Sequence, residues 1–147
     1  MIKRFLVTGA TGFFGRAFLR EVLRERTDLV SKVGAFARSE SRLAELTQRY
    51  EDCPAFRPYL GDVRDYDRLL DACRGMDVVI HAAALKRVDD GSYNPGEMIA
   101  TNIVGTQNVI RAATAVGVER VIVVSSDKAV APINVYGATK FCAEQYA

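Results

Sequence analysis

Near the end of the chain a tyrosine and a lysine stand four residues apart, Tyr136 and Lys140, shortly after Ser125-Ser126-Asp127-Lys128. On a helix, residues i and i+4 share one face. An ammonium beside a phenol favours the phenolate, which can take a proton from a sugar hydroxyl as hydride leaves the carbon that bears it. Tyr-x-x-x-Lys alone is common by chance. It gains meaning from the opposite end of the chain, where Thr8-Gly9-Ala10-Thr11-Gly12-Phe13-Phe14-Gly15 sets glycines at a G-x-x-G-x-x-G spacing. Gly9 permits a tight turn, Gly12 lets a pyrophosphate approach without a Cβ in the way, and Gly15 lets a helix pack closely on a sheet. A helix N-terminus there would offer N–H groups and a positive dipole end to phosphates.

Elements must carry these residues to one place. Short β-branched runs alternate with longer amphipathic stretches, the pattern of βαβ units wound into a parallel sheet. Strands are expected at 3–8, 32–37, 55–59, 77–82 and 120–125. Helices are expected from the glycine turn onward, with Phe14, Phe18, Val22 and Leu23 on one face, and at 41–50, 66–73, 95–116 and 136–147. The Val121-Ile122-Val123-Val124 run reads as buried on both faces. The implied fold is α/β, a doubly wound parallel sheet of the NAD(P)-binding Rossmann type in the order 3-2-1-4-5, with residues 1–147 as one dinucleotide-binding domain. The last helical pattern stops without a C-cap glycine, a basic last turn or a following strand. The expectation is a chain cut before a sixth strand, lacking a carboxyl-terminal substrate-binding region.

Cofactor choice is read at the end of the second strand, where a carboxylate would hold ribose hydroxyls and an arginine would accommodate a 2′-phosphate. Here stand Arg38 and Ser39, with Arg42 as a second cation, so NADP is favoured over NAD. Asp62 and Val63 follow the third strand, where a carboxylate could accept from an adenine amino group and an apolar side chain could meet its face; a helix N-cap region is the competing reading. His81 opens His81-Ala82-Ala83-Ala84, whose small residues let a nicotinamide ribose lie against the backbone. A lone histidine at a strand end reads as structural rather than as an acid or base. Asn102, a poor helix former inside a long helix, reads as bonding backbone groups of neighbouring strands or organising water.

Composition excludes other classes. With 20 basic against 18 acidic residues, scattered along the chain, neither nucleic acid nor a membrane surface is implied as partner. No apolar run reaches a bilayer span and no signal sequence precedes Lys3, so a cytoplasmic location is expected. Cys53, Cys73 and Cys142 lack CxxC spacing and read as reduced structural thiols, and no metal is expected.

Together these residues resemble the short-chain dehydrogenase/reductase superfamily, extended branch, over the entire chain. The stretches His81-Ala82-Ala83-Ala84-Leu85-Lys86, Tyr93-Asn94-Pro95, Thr101-Asn102-Ile103-Val104-Gly105-Thr106 and Ser126-Asp127-Lys128-Ala129, and the run Pro132 to Lys140, look like soluble UDP-N-acetylglucosamine 4,6-dehydratases of polysaccharide and flagellin-sugar biosynthesis. The Asp127-Lys128 pair is the telling feature, and Tyr136 in place of the methionine of membrane-anchored relatives points to the 5-inverting type. The resemblance implies that Tyr136, supported by Lys140 and Ser126, deprotonates the sugar 4-hydroxyl while NADP takes hydride. It implies that Lys128 removes the carbon-5 proton, its pKa lowered by burial and nearby cations, and that Asp127 protonates the departing 6-hydroxyl. Thr8, Gly9, Thr11, Gly12, Phe13, Phe14, Gly15, Arg38, Ser39, Arg42, Asp62, Val63, Ala82, Ala83, Ala84, Lys86, Asn102, Tyr136 and Lys140 would then face the cofactor. Asp89-Asp90-Gly91-Ser92 departs from the family's pattern, which bears on substrate identity. Another sugar-nucleotide epimerase or reductase of the superfamily and a non-catalytic dinucleotide-binding module are the rivals. Relatives tend to self-associate, so a homo-oligomer is expected; the face of Ile99, Ile103 and Ile110 could serve that end or core packing.

Overall fold

A computed structural model of the chain describes residues 3–87 and 93–147. The expected Asp89-Asp90-Gly91-Ser92 departure lies outside the described residues. Strand β1 (Lys3–Thr8) pairs in parallel with β2 (Val30–Ala37) on one side and β4 (Val78–His81) on the other. Beyond them lie β3 (Phe56–Leu60) and β5 (Arg120–Val123), so the described sheet runs β3-β2-β1-β4-β5, the order expected.

Alternation along β1 sorts the core into two layers. Val7 joins one apolar cluster with Val33, Ala35, Leu19 and Leu46, while Leu6 joins the other with Phe36, Val79, Leu69 and Val109. Helices α1 (Phe13–Arg20) and α2 (Glu40–Arg49) supply Leu19 and Leu46 to the first layer, and α3 (Tyr66–Cys73) and α5 (Gly105–Ala115) supply Leu69 and Val109 to the second. Burying both faces is what makes a parallel sheet stable and its strands so uniformly apolar. Cys73 is in this core, where burial raises its thiol to about 11. Cys142 is exposed, so the structural reading of the cysteines fits Cys73 and not Cys142.

Two expectations need correction. The long helix expected at 95–116 is interrupted: α4 (Pro95–Ile99) passes through a π-helical turn, Ala100–Val104, before α5 begins. Strand β5 is not buried on both faces. It is the edge of the described sheet, with Arg120 exposed, Val121 and Val123 half-buried and Ile122 46% exposed. An apolar run reports that a strand lies in a sheet, and its place in the sheet decides how much of it is covered. A 3₁₀ turn (Asp127–Ala129) then leads to α6 (Val135–Glu144), where Asn134 accepts a hydrogen bond from Gly137 N–H at 2.8 Å and so caps the helix. Among the described residues no helix is long and apolar enough to cross a membrane.

Candidate dinucleotide cleft and catalytic edge

At the carboxyl ends of the strands lies a cleft of about 490 Å³. Open parallel sheets bind ligands here because connections leave the central strands in opposite directions. The glycine turn forms its floor. Gly9 sits at φ +68°, and a Cβ there would stand 2.7 Å from the backbone of Ala82 and Ala83. Gly15 would carry a Cβ 2.6 Å from Gly9 O and Ala10 Cα, so its small size serves the turn's own backbone rather than helix-to-sheet packing. At Gly12 a Cβ would lie 3.1 Å from Gly9 O, and no side chain caps α1 there. The N–H groups of the first turn of α1 therefore lack an internal helical partner at the cleft floor.

The walls gather most of the expected residues. Thr11, Phe13 and Phe14 of the turn, Arg38, Ser39 and Arg42 at the β2–α2 junction, Asp62 and Val63 after β3, Ala82 to Ala84 and Lys86 after β4, and Tyr136 and Lys140 of α6 all line the cleft. Thr8 and Asn102 do not. Thr8 is fully buried, its hydroxyl 2.7 Å from His81 Nδ1 and accepting from Ala83 N–H at 3.3 Å. The other ring nitrogen of His81 lies 3.0 Å from the Thr106 hydroxyl. Burial, reinforced by the charge of Lys140, pushes the imidazole down to about 3, so it is neutral at physiological pH and ties β1, β4 and α5 together. The Asn102 amide accepts from Leu85 N–H and donates to Leu85 C=O, both at 2.8 Å, and donates to the Thr139 hydroxyl at 3.0 Å. It joins the loop after β4 to α6 from behind the cleft.

At the cofactor-choice position, Ser39 caps α2 by accepting from Arg42 N–H, and Arg38 lies 4.0 Å from Asp62. Burial acts to raise the Asp62 carboxyl, yet the hydrogen bonds and charge of Arg64 hold it below its usual value. At the other end, Lys140 is buried and donates to Val124 C=O at 2.6 Å. Burial lowers its pKa and Glu144, one turn on, acts against that. Glu144 also accepts a hydrogen bond from Ser125, which lines the cleft.

Ser126, Asp127 and Lys128 do not line the cleft; they form a turn beside it in which Ser126 is half-buried and the other two are exposed. Ser126 Oγ accepts from Lys128 N–H at 3.1 Å and donates to Asp127 at 3.2 Å. Lys128 Nζ bonds both Asp127 oxygens at 3.3 Å, which holds that carboxyl below its ordinary range. The burial expected at Lys128 is absent: its side chain is 54% exposed and that of Asp127 86%. The spacing to Tyr136 is nevertheless specified, because a Cβ on Gly137 would run into the Lys128 carbonyl oxygen.

Sequence reasoning missed Thr101. Its hydroxyl is buried, lines the cleft, and is the one buried side-chain polar atom among the described residues without a hydrogen-bond partner. A buried hydroxyl in that state costs free energy unless a ligand satisfies it. The π turn that carries Thr101 has no signature in the sequence, although such turns recur at functional sites. Ser125 and Leu85 were likewise passed over in favour of their neighbours.

Comparison with known proteins follows the same lines. A family described as polysaccharide biosynthesis protein matches residues 5–147. The chain is 43% identical over 143 residues to the UDP-N-acetylglucosamine 4,6-dehydratase (inverting) of Campylobacter jejuni, covering 97% of this chain and 42% of that protein. It is also 43% identical over 148 residues to a UDP-glucose 4-epimerase of Rickettsia bellii, covering 99% and 42% respectively. The dTDP-glucose 4,6-dehydratase DesIV of Streptomyces venezuelae, solved with NAD bound, superposes with a TM-score of 0.86 at 29% identity, over 97% of this chain and 50% of that one. The chain thus spans less than half the length of the curated relatives it matches.

Proposed function

The chain belongs to the polysaccharide biosynthesis protein family, within the extended short-chain dehydrogenase/reductase superfamily, and from that premise we propose that it is the dinucleotide-binding domain of an NADP-dependent 4,6-dehydratase acting on UDP-N-acetylglucosamine. One observation carries the reading: a single cleft runs from the glycine turn to Tyr136 and Lys140. The residues present fit a dinucleotide. A helix start without a side-chain cap and a Gly12 without a Cβ suit a diphosphate, and the unsatisfied Thr101 hydroxyl suits a polar group. Gly9 to Gly15 would hold the diphosphate, Arg38, Ser39 and Arg42 the 2′-phosphate, Asp62 and Val63 the adenine, and Ala82 to Ala84 with Lys86 the nicotinamide side. When bound, the nicotinamide accepts hydride from carbon 4 of the sugar and returns it to carbon 6.

The chain's own residues would move the protons. Tyr136 takes the proton of the 4-hydroxyl as carbon 4 becomes a ketone. Lys140, which donates to Val124 C=O, supplies the positive charge that favours the phenolate, and Ser126, once released from Asp127, would support the same hydroxyl. The ketone acidifies carbon 5, whose proton Lys128 removes. Asp127, protonated by transfer from the Lys128 ammonium 3.3 Å away, a transfer that also leaves Lys128 the neutral base, gives that proton to the departing 6-hydroxyl, which leaves as water. Reprotonation of carbon 5 from the opposite face, by a proton drawn from solvent, inverts it. Work on a free sugar nucleotide suits a cytoplasmic protein, and the partly exposed Ile99 beside half-buried Ile103 and Ile110 suits a homo-oligomer.

A second reading, epimerisation of a UDP-sugar, is favoured by the Rickettsia relative. Incubation with UDP-N-acetylglucosamine and catalytic NADP in deuterated water, followed by NMR, separates the two. A 4-keto-6-deoxy sugar with deuterium at an inverted carbon 5 is expected. Epimerised sugar without loss of oxygen would replace the dehydratase reading with the second, and tight NADP binding without turnover would reduce the function to cofactor binding.

A further inference from the structure

Behind the cleft wall at Asp62 stands a clamp that the proposed chemistry does not use. Arg64 does not line the cleft, yet its guanidinium grips Asp62 with two nitrogens, Nε to Oδ1 at 3.1 Å and Nη2 to Oδ2 at 2.7 Å. Its backbone N–H also donates to Oδ1, at 2.9 Å. The remaining guanidinium nitrogen, Nη1, reaches across to Glu97 of α4 at 2.7 Å. The loop itself is held from α5, where the Asn108 amide donates to the carbonyls of Val63 and Arg64 at 3.2 and 3.0 Å.

A carboxylate offers about four acceptor positions across its two oxygens. Oδ1 is satisfied by two donors and Oδ2 by one, so a single acceptor position remains, on Oδ2. Arg38 stands 4.0 Å from that oxygen, too far for a hydrogen bond, and 58% exposed. A carboxylate fixed in this way can accept from an exocyclic amino group and repels a carbonyl oxygen in the same place. A freely rotating carboxylate would pay the ordering cost on each binding event and discriminate less.

We propose that Arg64 is a positioning residue for base recognition: by immobilising Asp62 and leaving it one acceptor, it makes the cleft selective for a 6-aminopurine dinucleotide over its 6-oxo counterpart. The inference rests on the dinucleotide reading of the cleft. It assigns Glu97 and Asn108 as the outer supports of the clamp, and it separates Arg64, which acts through Asp62, from Arg38, which faces the ribose phosphate.

The test is calorimetric titration of the chain with NADP and with its hypoxanthine analogue, for the parent, Arg64→Gln and Arg64→Lys. The lysine variant keeps the charge but not the fork, and it guards against a glutamine variant that fails to fold. The parent is expected to prefer the adenine form by about tenfold, the effect of one charge-assisted hydrogen bond. Both variants are expected to bring the ratio to within about twofold while leaving the affinity for the analogue nearly unchanged, because the diphosphate contacts remain. Equal weakening of both ligands would show Arg64 to be merely structural and overturn the proposal, as would full selectivity in Arg64→Lys or a parent indifferent to the base. A parent that binds neither dinucleotide would remove the underlying cofactor reading instead.

Discussion

The two ends of the cleft are built to different degrees. At the glycine turn, β1, β2 and β4 are flanked on both faces, Gly9 is pressed against Ala82 and Ala83, and His81 is locked between Thr8 and Thr106. At the catalytic edge β5 is half covered, Asp127 and Lys128 pair in the open, and Ile133 of the following loop is 96% exposed. The first region is held by contacts among β1, β2, β4 and α5. The second presents Tyr136, Lys140 and Ser125 to the cleft and leaves the Asp127–Lys128 pair outside it. On the proposed reading, cofactor affinity and fold stability would reside in the first region, whereas turnover would depend on the second.

The sharpest break of this contrast is Gly9→Val. A side chain at φ +68° and 2.7 Å from the Ala82 backbone should cost about 3 kcal/mol or more and abolish dinucleotide binding. Thermal unfolding and titration with NADP check both, and a variant of parental stability would deny the turn its role.

The next effect is in pH. The folded pKa of His81 is depressed to about 3 from an ordinary value near 6.5, so the unfolded chain binds a proton that the folded chain refuses between those limits. Stability should be complete above pH 6.5 and fall as pH drops toward 3, by about 2 kcal/mol between pH 6.5 and 5. Urea midpoints across that range measure it. His81→Asn should flatten the slope, and an unchanged slope in that variant would place the acid sensitivity elsewhere.

A paired substitution compares the strands directly. Val79→Thr, in the core at β4, should cost about 1–3 kcal/mol for a buried hydroxyl. Ile122→Thr, on half-covered β5, should cost about 0.5 kcal/mol or less. Equal costs would mean that β5 is as enclosed as the centre. Smallest of all in stability is Asp127→Asn, which should leave the unfolding midpoint in place because the Lys128 pair is solvent-exposed, while removing product formation in the deuterium assay.

The strands, their order and the glycine turn were legible in the sequence because each rests on local periodicity or on glycine's freedom at one turn. Tyr136 and Lys140 were legible because helical spacing alone puts them on one face. The buried environment expected for Lys128 was not legible, since burial depends on what lies above a turn and the turn's own residues do not encode it. The burial expected along β5 failed for the same reason at the level of a strand.

What the sequence determined by itself is therefore the parallel βαβ architecture, the glycine turn at the cleft floor and the placing of Tyr136 and Lys140 on one helix face. The tertiary structure alone decided that Ser125 rather than Ser126 lines the cleft, that Thr101 in its wall keeps a buried, unsatisfied hydroxyl, and that Asn102 works from behind. Each of these depends on partners far apart in the chain. Asn102 meets Thr139 across 37 positions and Thr8 meets His81 across 73, and no local pattern records such meetings because they are set by packing of whole elements.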